Sequence, residues 1–111
     1  MSTTNDDDFR RMMPHEVRTL LKEKAEIFIL DLRQPRAYHM GHIPEAILLP
    51  ADDFADRYAR EVSPDDPILL VCEKGLTSIA AAKFLVNQGF TNVATMSGGM
   101  NDWEGELTKN G

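Results

Sequence analysis

Cysteine is almost absent from this chain. Its 111 residues hold one, Cys72, so no internal disulfide can form and the fold needs no oxidising compartment. Long hydrophobic runs are missing too, since no stretch approaches the roughly 20 apolar residues that a membrane-spanning helix requires. Met1 to Arg10 is polar and carries Asp6-Asp7-Asp8, without the basic start and apolar centre of a secretory leader. These absences make a cytoplasmic location the expectation. A positive charge balance is lacking as well. The net charge of −6 argues against nucleic acid and anionic membrane surfaces as partners and leaves a basic protein partner open. No repeat, low-complexity tract or linker divides the sequence. One domain over residues 11–111 is therefore expected, behind a solvated acidic tail at residues 1–10. Its 42% hydrophobic and 27% charged residues are the balance of a globular protein long enough to build a core without staples.

What is present reads as strands alternating with helices. Pro14 at an early helical position, with Glu16 in the first turn, opens a helix over residues 14–24 whose apolar face is Val17, Leu20 and Leu21. Ile27 to Leu32 is a nearly continuous apolar run, the pattern of a strand buried on both faces, and Arg33-Gln34-Pro35 breaks it. Ala46 to Leu49 is a second short strand, stopped by Pro50, and Asp52 to Arg60 reads as a helix with Phe54, Tyr58 and Ala55 inward. Ser63-Pro64-Asp65-Asp66-Pro67 is a turn cluster. A strand ending at Cys72 follows, then a helix from about Ser78 to Gln88 stopped by Gly89. Asn92 to Met96 is a further strand, Gly98-Gly99 a turn, and Met100 to Glu104 a short final helix. The alternation predicts an α/β fold, a mostly parallel central sheet in a three-layer arrangement with helices on both faces. Ligands of such sheets collect at the carboxyl ends of the strands, and Cys72 lies at one.

The segment Val71-Cys72-Glu73-Lys74-Gly75-Leu76-Thr77-Ser78 runs from strand to helix through a glycine-containing turn. Such a turn aims several backbone N–H groups and the positive end of a helix dipole at one spot. A cysteine held there is expected to carry thiolate near neutral pH. A purely structural role as a small core hydrophobe is disfavoured, because a core thiol needs no anion-cradling turn after it. Gly75 is expected to supply a positive φ, Ser78 to act as a helix N-cap, Glu73 to face solvent or a partner, and Leu76 to form an apolar rim. Lys74 is either a ligand-facing cation or a solvated surface lysine. His15 and His39 have no metal-ligand spacing partner, so no metal is expected.

Three segments in order resemble the single-domain rhodaneses of the sulfurtransferase superfamily. Asp31-Leu32-Arg33 with Gly41-His42-Ile43-Pro44-Glu45-Ala46 is similar to the family's D-x-R and G-H-I-P-x-A motifs. The strand, Cys72 and helix form the second segment. Gly89-Phe90-Thr91-Asn92-Val93 and Ser97-Gly98-Gly99-Met100-Asn101-Asp102-Trp103 resemble the carboxyl-terminal ending. The resemblance implies a rhodanese-like fold and a catalytic Cys72. It implies that Cys72 takes a sulfane sulfur from thiosulfate or a persulfide donor and passes it to a thiol, cyanide or a sulfur-carrier protein. Glu73, Lys74, Gly75, Leu76, Thr77 and Ser78 would form the substrate-binding loop, with no cofactor and no metal. Asp31 and Arg33 are expected to tie loops by a partly buried ion pair, His42 to be a structural hydrogen-bonding residue, Trp103 to pack the last helix, and Arg36 to reach the mouth of the site.

One departure matters. The family's loop usually has Arg at the fifth residue after the cysteine, where this chain has Thr77. A guanidinium binds an anionic donor through a forked, permanently charged group, whereas Thr77 offers one hydroxyl. Losing one charge-assisted hydrogen bond is worth about 1.5–3 kcal/mol, so weak turnover with thiosulfate is expected and a less anionic or protein-borne donor would suit better. A cysteine phosphatase or arsenate reductase needs Arg six residues after the cysteine, and Ser78 stands there. A docking or regulatory module in which the thiol is incidental is the main alternative to an enzyme. A redox-sensing thiol would need a resolving partner from outside the chain.

Overall fold

A computed structural model describes residues 8–110. Five strands form one all-parallel sheet: β1 (Arg10–Met12), β2 (Phe28–Asp31), β3 (Ile47–Leu48), β4 (Ile68–Val71) and β5 (Val93–Met96), in the order β1-β5-β4-β2-β3. Helices α1 (Pro14–Lys22), α2 (Pro35–Met40), α3 (Ala51–Glu61) and α4 (Thr77–Asn87) connect them, and a 3-10 turn (Gly99–Asp102) follows β5. The expected α/β class and parallel sheet are what the chain adopts.

The two-residue period of a strand sorts side chains into two layers. In β4, Ile68 and Leu70 face one layer together with Cys72 beyond the strand end, while Leu69 and Val71 face the other. The first layer is completed by Phe54 of α3 and by Ala82 and Leu85 of α4, the second by Val17 of α1, Tyr38 of α2 and Trp103. All four β4 residues are buried, as expected of a central strand covered on both faces. The sulfur-bearing side chain therefore belongs to the α3–α4 layer.

Two elements go beyond the pattern that the sequence predicts. Arg10-Arg11-Met12 forms β1 by pairing with the free edge of β5, in the register Arg10↔Ala94 to Met12↔Met96. It begins inside the segment read as tail, and Phe9 before it is buried in the α3–α4 layer. Asp8 is exposed, and the rest of the acidic run lies outside the described residues. The second is α2. Pro35 does not merely break the preceding strand but stands at the first helical position, where its missing N–H costs nothing and its φ is already helical. His39 consequently lies on a helix. Smaller corrections concern element ends. The helix α1 stops at Lys22, and Ala55 on α3 is exposed rather than inward. The final helix is a 3-10 turn starting at Gly99.

Candidate active site

Cys72 is the first residue after β4 and is 4% exposed. Its Sγ accepts two backbone N–H groups, from Gly75 at 3.2 Å and from Ser78 at 3.3 Å. Helix α4 explains the second. Its N-cap is Leu76, in a helical backbone conformation and with no side-chain capping bond. The orphan amide of the first turn, normally satisfied by an N-cap side chain, is satisfied here by sulfur. Ser78, expected to be the N-cap, instead sits inside the helix and fully buried, its hydroxyl donating to the Gly75 carbonyl at 3.4 Å. The difference has a physical reason: the thiol already accepts the amide that a serine cap would satisfy.

The first two loop carbonyls are bonded by the segment after β5. Met100 N–H donates to the Cys72 carbonyl at 2.7 Å and Asn101 N–H to the Glu73 carbonyl at 2.9 Å. Both donors belong to the 3-10 turn, which thus ties down the first two carbonyls of the loop. Two glycines permit this close approach. Gly75 has φ +89°, as the sequence reading expected, and a Cβ there would lie 2.9 Å from Gly98 N. Gly99 has φ +65°, and a Cβ there would lie 2.5 Å from the Cys72 carbonyl oxygen and 2.6 Å from that of Glu73. Gly99 is thus more than the turn residue that the Gly98-Gly99 pair suggests, because its contacts lie with a loop distant in sequence.

The other loop residues lie at the surface. Glu73, Lys74 and Thr77 are exposed, and Leu76 is 72% exposed. Arg36 of α2 lines an open depression together with Arg33, Ala37, Met40 and Glu73, so the structure brings α2 to the side of the loop. Arg33 is committed elsewhere. Its Nε and Nη2 fork onto the fully buried Asp31 carboxylate at 2.9 and 2.8 Å, and Nη2 also reaches the Gly41 carbonyl at 2.9 Å. This is the loop-tying ion pair expected from sequence.

Around it, His42 stacks on Tyr38 with ring centroids 3.6 Å apart and bonds the Tyr38 carbonyl through Nδ1 at 2.8 Å, a structural role as expected. The Tyr38 hydroxyl donates to the Ala46 carbonyl. Burial pushes its ionisation upward, the nearby Asp31 carboxylate adds to this, and Arg33 partly offsets it. Trp103 is buried against the sheet and donates Nε1–H to the Glu106 carbonyl at 3.0 Å. Among the described residues, no three His, Cys, Asp or Glu side chains are grouped to hold a metal ion. No helix among them is long and apolar enough to cross a membrane.

The rhodanese-like domain family model matches residues 13–106. The thiosulfate sulfurtransferase GlpE of Pseudomonas entomophila is 40% identical over 96 residues, covering 86% of this chain and 85% of that protein. The protein of the same name from Pseudoalteromonas translucida is 40% identical over 84 residues, covering 76% and 79%. Among solved structures, a rhodanese-like domain protein from Staphylococcus aureus superposes with a TM-score of 0.83 at 26% identity, over 93% of this chain and 100% of that one. A Rhodopseudomonas palustris protein described as a possible tyrosine phosphatase superposes with a TM-score of 0.76 over 93% of each chain, but at 23% identity it shows the fold alone. Fold, loop and motif order agree with the sequence match: the chain belongs to the rhodanese-like domain family.

Proposed function

We propose that this protein is a rhodanese-type sulfurtransferase working through a persulfide on Cys72. The observation that carries the reading is the pair of backbone N–H groups, from Gly75 and Ser78, directed at Sγ. Preorganised donors in a site shielded from water stabilise negative charge without reorganising. Cysteine is the side chain that holds a second sulfur reversibly. In the first half-reaction the Cys72 thiolate attacks the outer sulfur of thiosulfate. A new S–S bond forms as the donor's own S–S bond breaks, and sulfite departs with the electron pair. In the second, a thiolate or cyanide attacks the outer sulfur of the persulfide, and the Cys72 thiolate leaves with the pair.

Glu73, Lys74, Gly75, Leu76, Thr77 and Ser78 serve as the substrate-binding loop. Gly75 and Ser78 act through their amides, and the side chains of Glu73, Lys74, Leu76 and Thr77 form the rim. Lys74 is the loop's cation. A persulfide on a small thiol or on a sulfur-carrier protein is the donor that best suits a loop without arginine, and the reducing cytoplasm is the compartment that keeps the thiol available.

The test is intact mass. Reduced protein is incubated with thiosulfate, and separately with a protein persulfide. The expected result is a gain of one sulfur atom that cyanide removes and that Cys72→Ser lacks. No added sulfur from either donor, with Cys72 still open to alkylation, refutes the persulfide reading and leaves a docking module. The exposure of Leu76 (72%) and Met40 (71%) beside the loop favours that second reading, under which partner binding survives Cys72→Ser.

A further inference from the structure

A cleft of about 470 Å³ lies between α1 and the segment that follows the 3-10 turn. It is on the opposite side of the sheet from the reacting sulfur, since Val17 and Trp103 pack in one layer and Cys72 in the other. His15, Arg18 and Lys22 line the cleft from α1, and at spacings of three and four residues they project from one face of the helix. All three are exposed, and among the described residues none of them is in an ion pair. Glu106 is the one acid on the lining. On a chain of net charge −6, two unpaired cations and an imidazole gathered at one cleft favour an anion from outside.

The cleft also has an apolar part, from Leu21 and Trp103. Trp103 Nε1–H is committed to the Glu106 carbonyl at 3.0 Å, so the indole offers ring carbon rather than a donor. Gly105 explains how the ring and Arg18 come together. A Cβ at Gly105 would collide with Trp103 Cζ2 and lie 3.0 Å from Arg18 Cδ. The backbone at Gly105 therefore fits between the indole and the arginine stem.

We propose that this cleft binds a phosphomonoester carried on an apolar body, at a site separate from the thiol. The inference is independent of the sulfurtransferase reading. Charge and shape select the class. A phosphomonoester carries about −1.5 to −2 charges at pH 7 and three acceptor oxygens, which Arg18 and Lys22 balance and the three side chains share. Both oxygens of a carboxylate are satisfied by one guanidinium, which would leave Lys22 and His15 unused. Glu106 repels further negative charge, so one phosphate suits the cleft better than a polyphosphate. The volume falls within the roughly 300–1,000 Å³ of small-molecule sites. That is more than an inorganic ion fills, and Leu21 and Trp103 cover the remainder of the ligand.

Trp103 is the chain's one tryptophan, so its fluorescence reports on the cleft. The full chain is titrated at fixed ionic strength with phenyl phosphate, inorganic phosphate and phenol, by fluorescence and by calorimetry. Phenyl phosphate should saturate with a Kd at least about tenfold below that of either fragment, because each fragment makes only part of the contacts. Arg18→Gln and Lys22→Gln should each weaken it about threefold to tenfold, while the alkylation rate of Cys72 stays at the wild-type value and shows the fold intact. The proposal is overturned if phenyl phosphate gives neither a saturable fluorescence change nor heat, or if inorganic phosphate binds as tightly. It is overturned equally if the Arg18→Gln, Lys22→Gln double variant binds phenyl phosphate as well as the wild type.

Discussion

Gly99→Ala is the perturbation that most directly probes how the sulfur loop is held. The new Cβ would sit 2.5 Å from the Cys72 carbonyl oxygen, 2.6 Å from that of Glu73 and 2.6 Å from Gly75 N. All three are backbone atoms, so no flexible side chain can yield. Gly89→Ala is the matched control. It has φ +95° with nothing within 4 Å of the added methyl, so it bears the backbone cost alone. That cost is about 1–2 kcal/mol for a left-handed alanine. It is no smaller at Gly89 than at Gly99, since +65° lies near the left-handed well and +95° lies outside it. Overpacking at Gly99 adds about 1–3 kcal/mol, for a total loss of about 2–5 kcal/mol against a domain stability of about 5–15 kcal/mol. Urea denaturation of both variants reads the difference, and the alkylation rate of Cys72 reads the loop directly. Gly99→Ala should be the less stable by more than about 1 kcal/mol and should expose the thiol to faster alkylation, while Gly89→Ala leaves that rate at the wild-type value. Equal stabilities, with equal alkylation rates, would refute the argument that close backbone contact between the 3-10 turn and the loop sets the geometry of Sγ.

Arg33→Met should cost about 3–5 kcal/mol in chemical denaturation, because it strands the fully buried Asp31 carboxylate. Adding Asp31→Asn should recover part of that loss, and a strictly additive double variant would deny the coupling. Thr77→Arg should raise kcat/KM for thiosulfate about tenfold to a hundredfold by restoring one charge-assisted hydrogen bond; an unchanged value would mean that the rim does not hold the donor. Stability should fall as pH rises past about 10, since Tyr38 ionises above its ordinary value in the folded protein. The sign follows from linkage: a group with a raised folded pKa contributes fully below its unfolded pKa and loses that contribution as pH climbs through the folded one. Denaturation midpoints between pH 8 and 11.5 test this, and Tyr38→Phe should flatten that part of the profile.

The central strands were legible because burial on both faces demands near-continuous apolar residues, and Phe28–Asp31 and Ile68–Val71 have them. The positions of Cys72 and of the positive-φ Gly75 followed from the strand–turn–helix pattern, and the Asp31–Arg33 pair from its motif. What stayed hidden has a common cause. Arg10–Met12 carries no strand pattern of its own and is a strand because β5 offers it a free edge. Arg36 stands beside Glu73 only because α2 forms and packs next to the loop.

The sequence alone determined the α/β class, the single thiol at the end of a strand and the absence of arginine from its loop. All three are local properties of residue type and spacing. Tertiary structure decided that the 3-10 turn holds the loop whose Gly75 and Ser78 amides face the sulfur, that the thiol takes the place of an N-cap for α4, and that Gly99 must lack a side chain. The 3-10 turn and the loop are remote in sequence and meet within a few ångströms, and no local pattern encodes that distance.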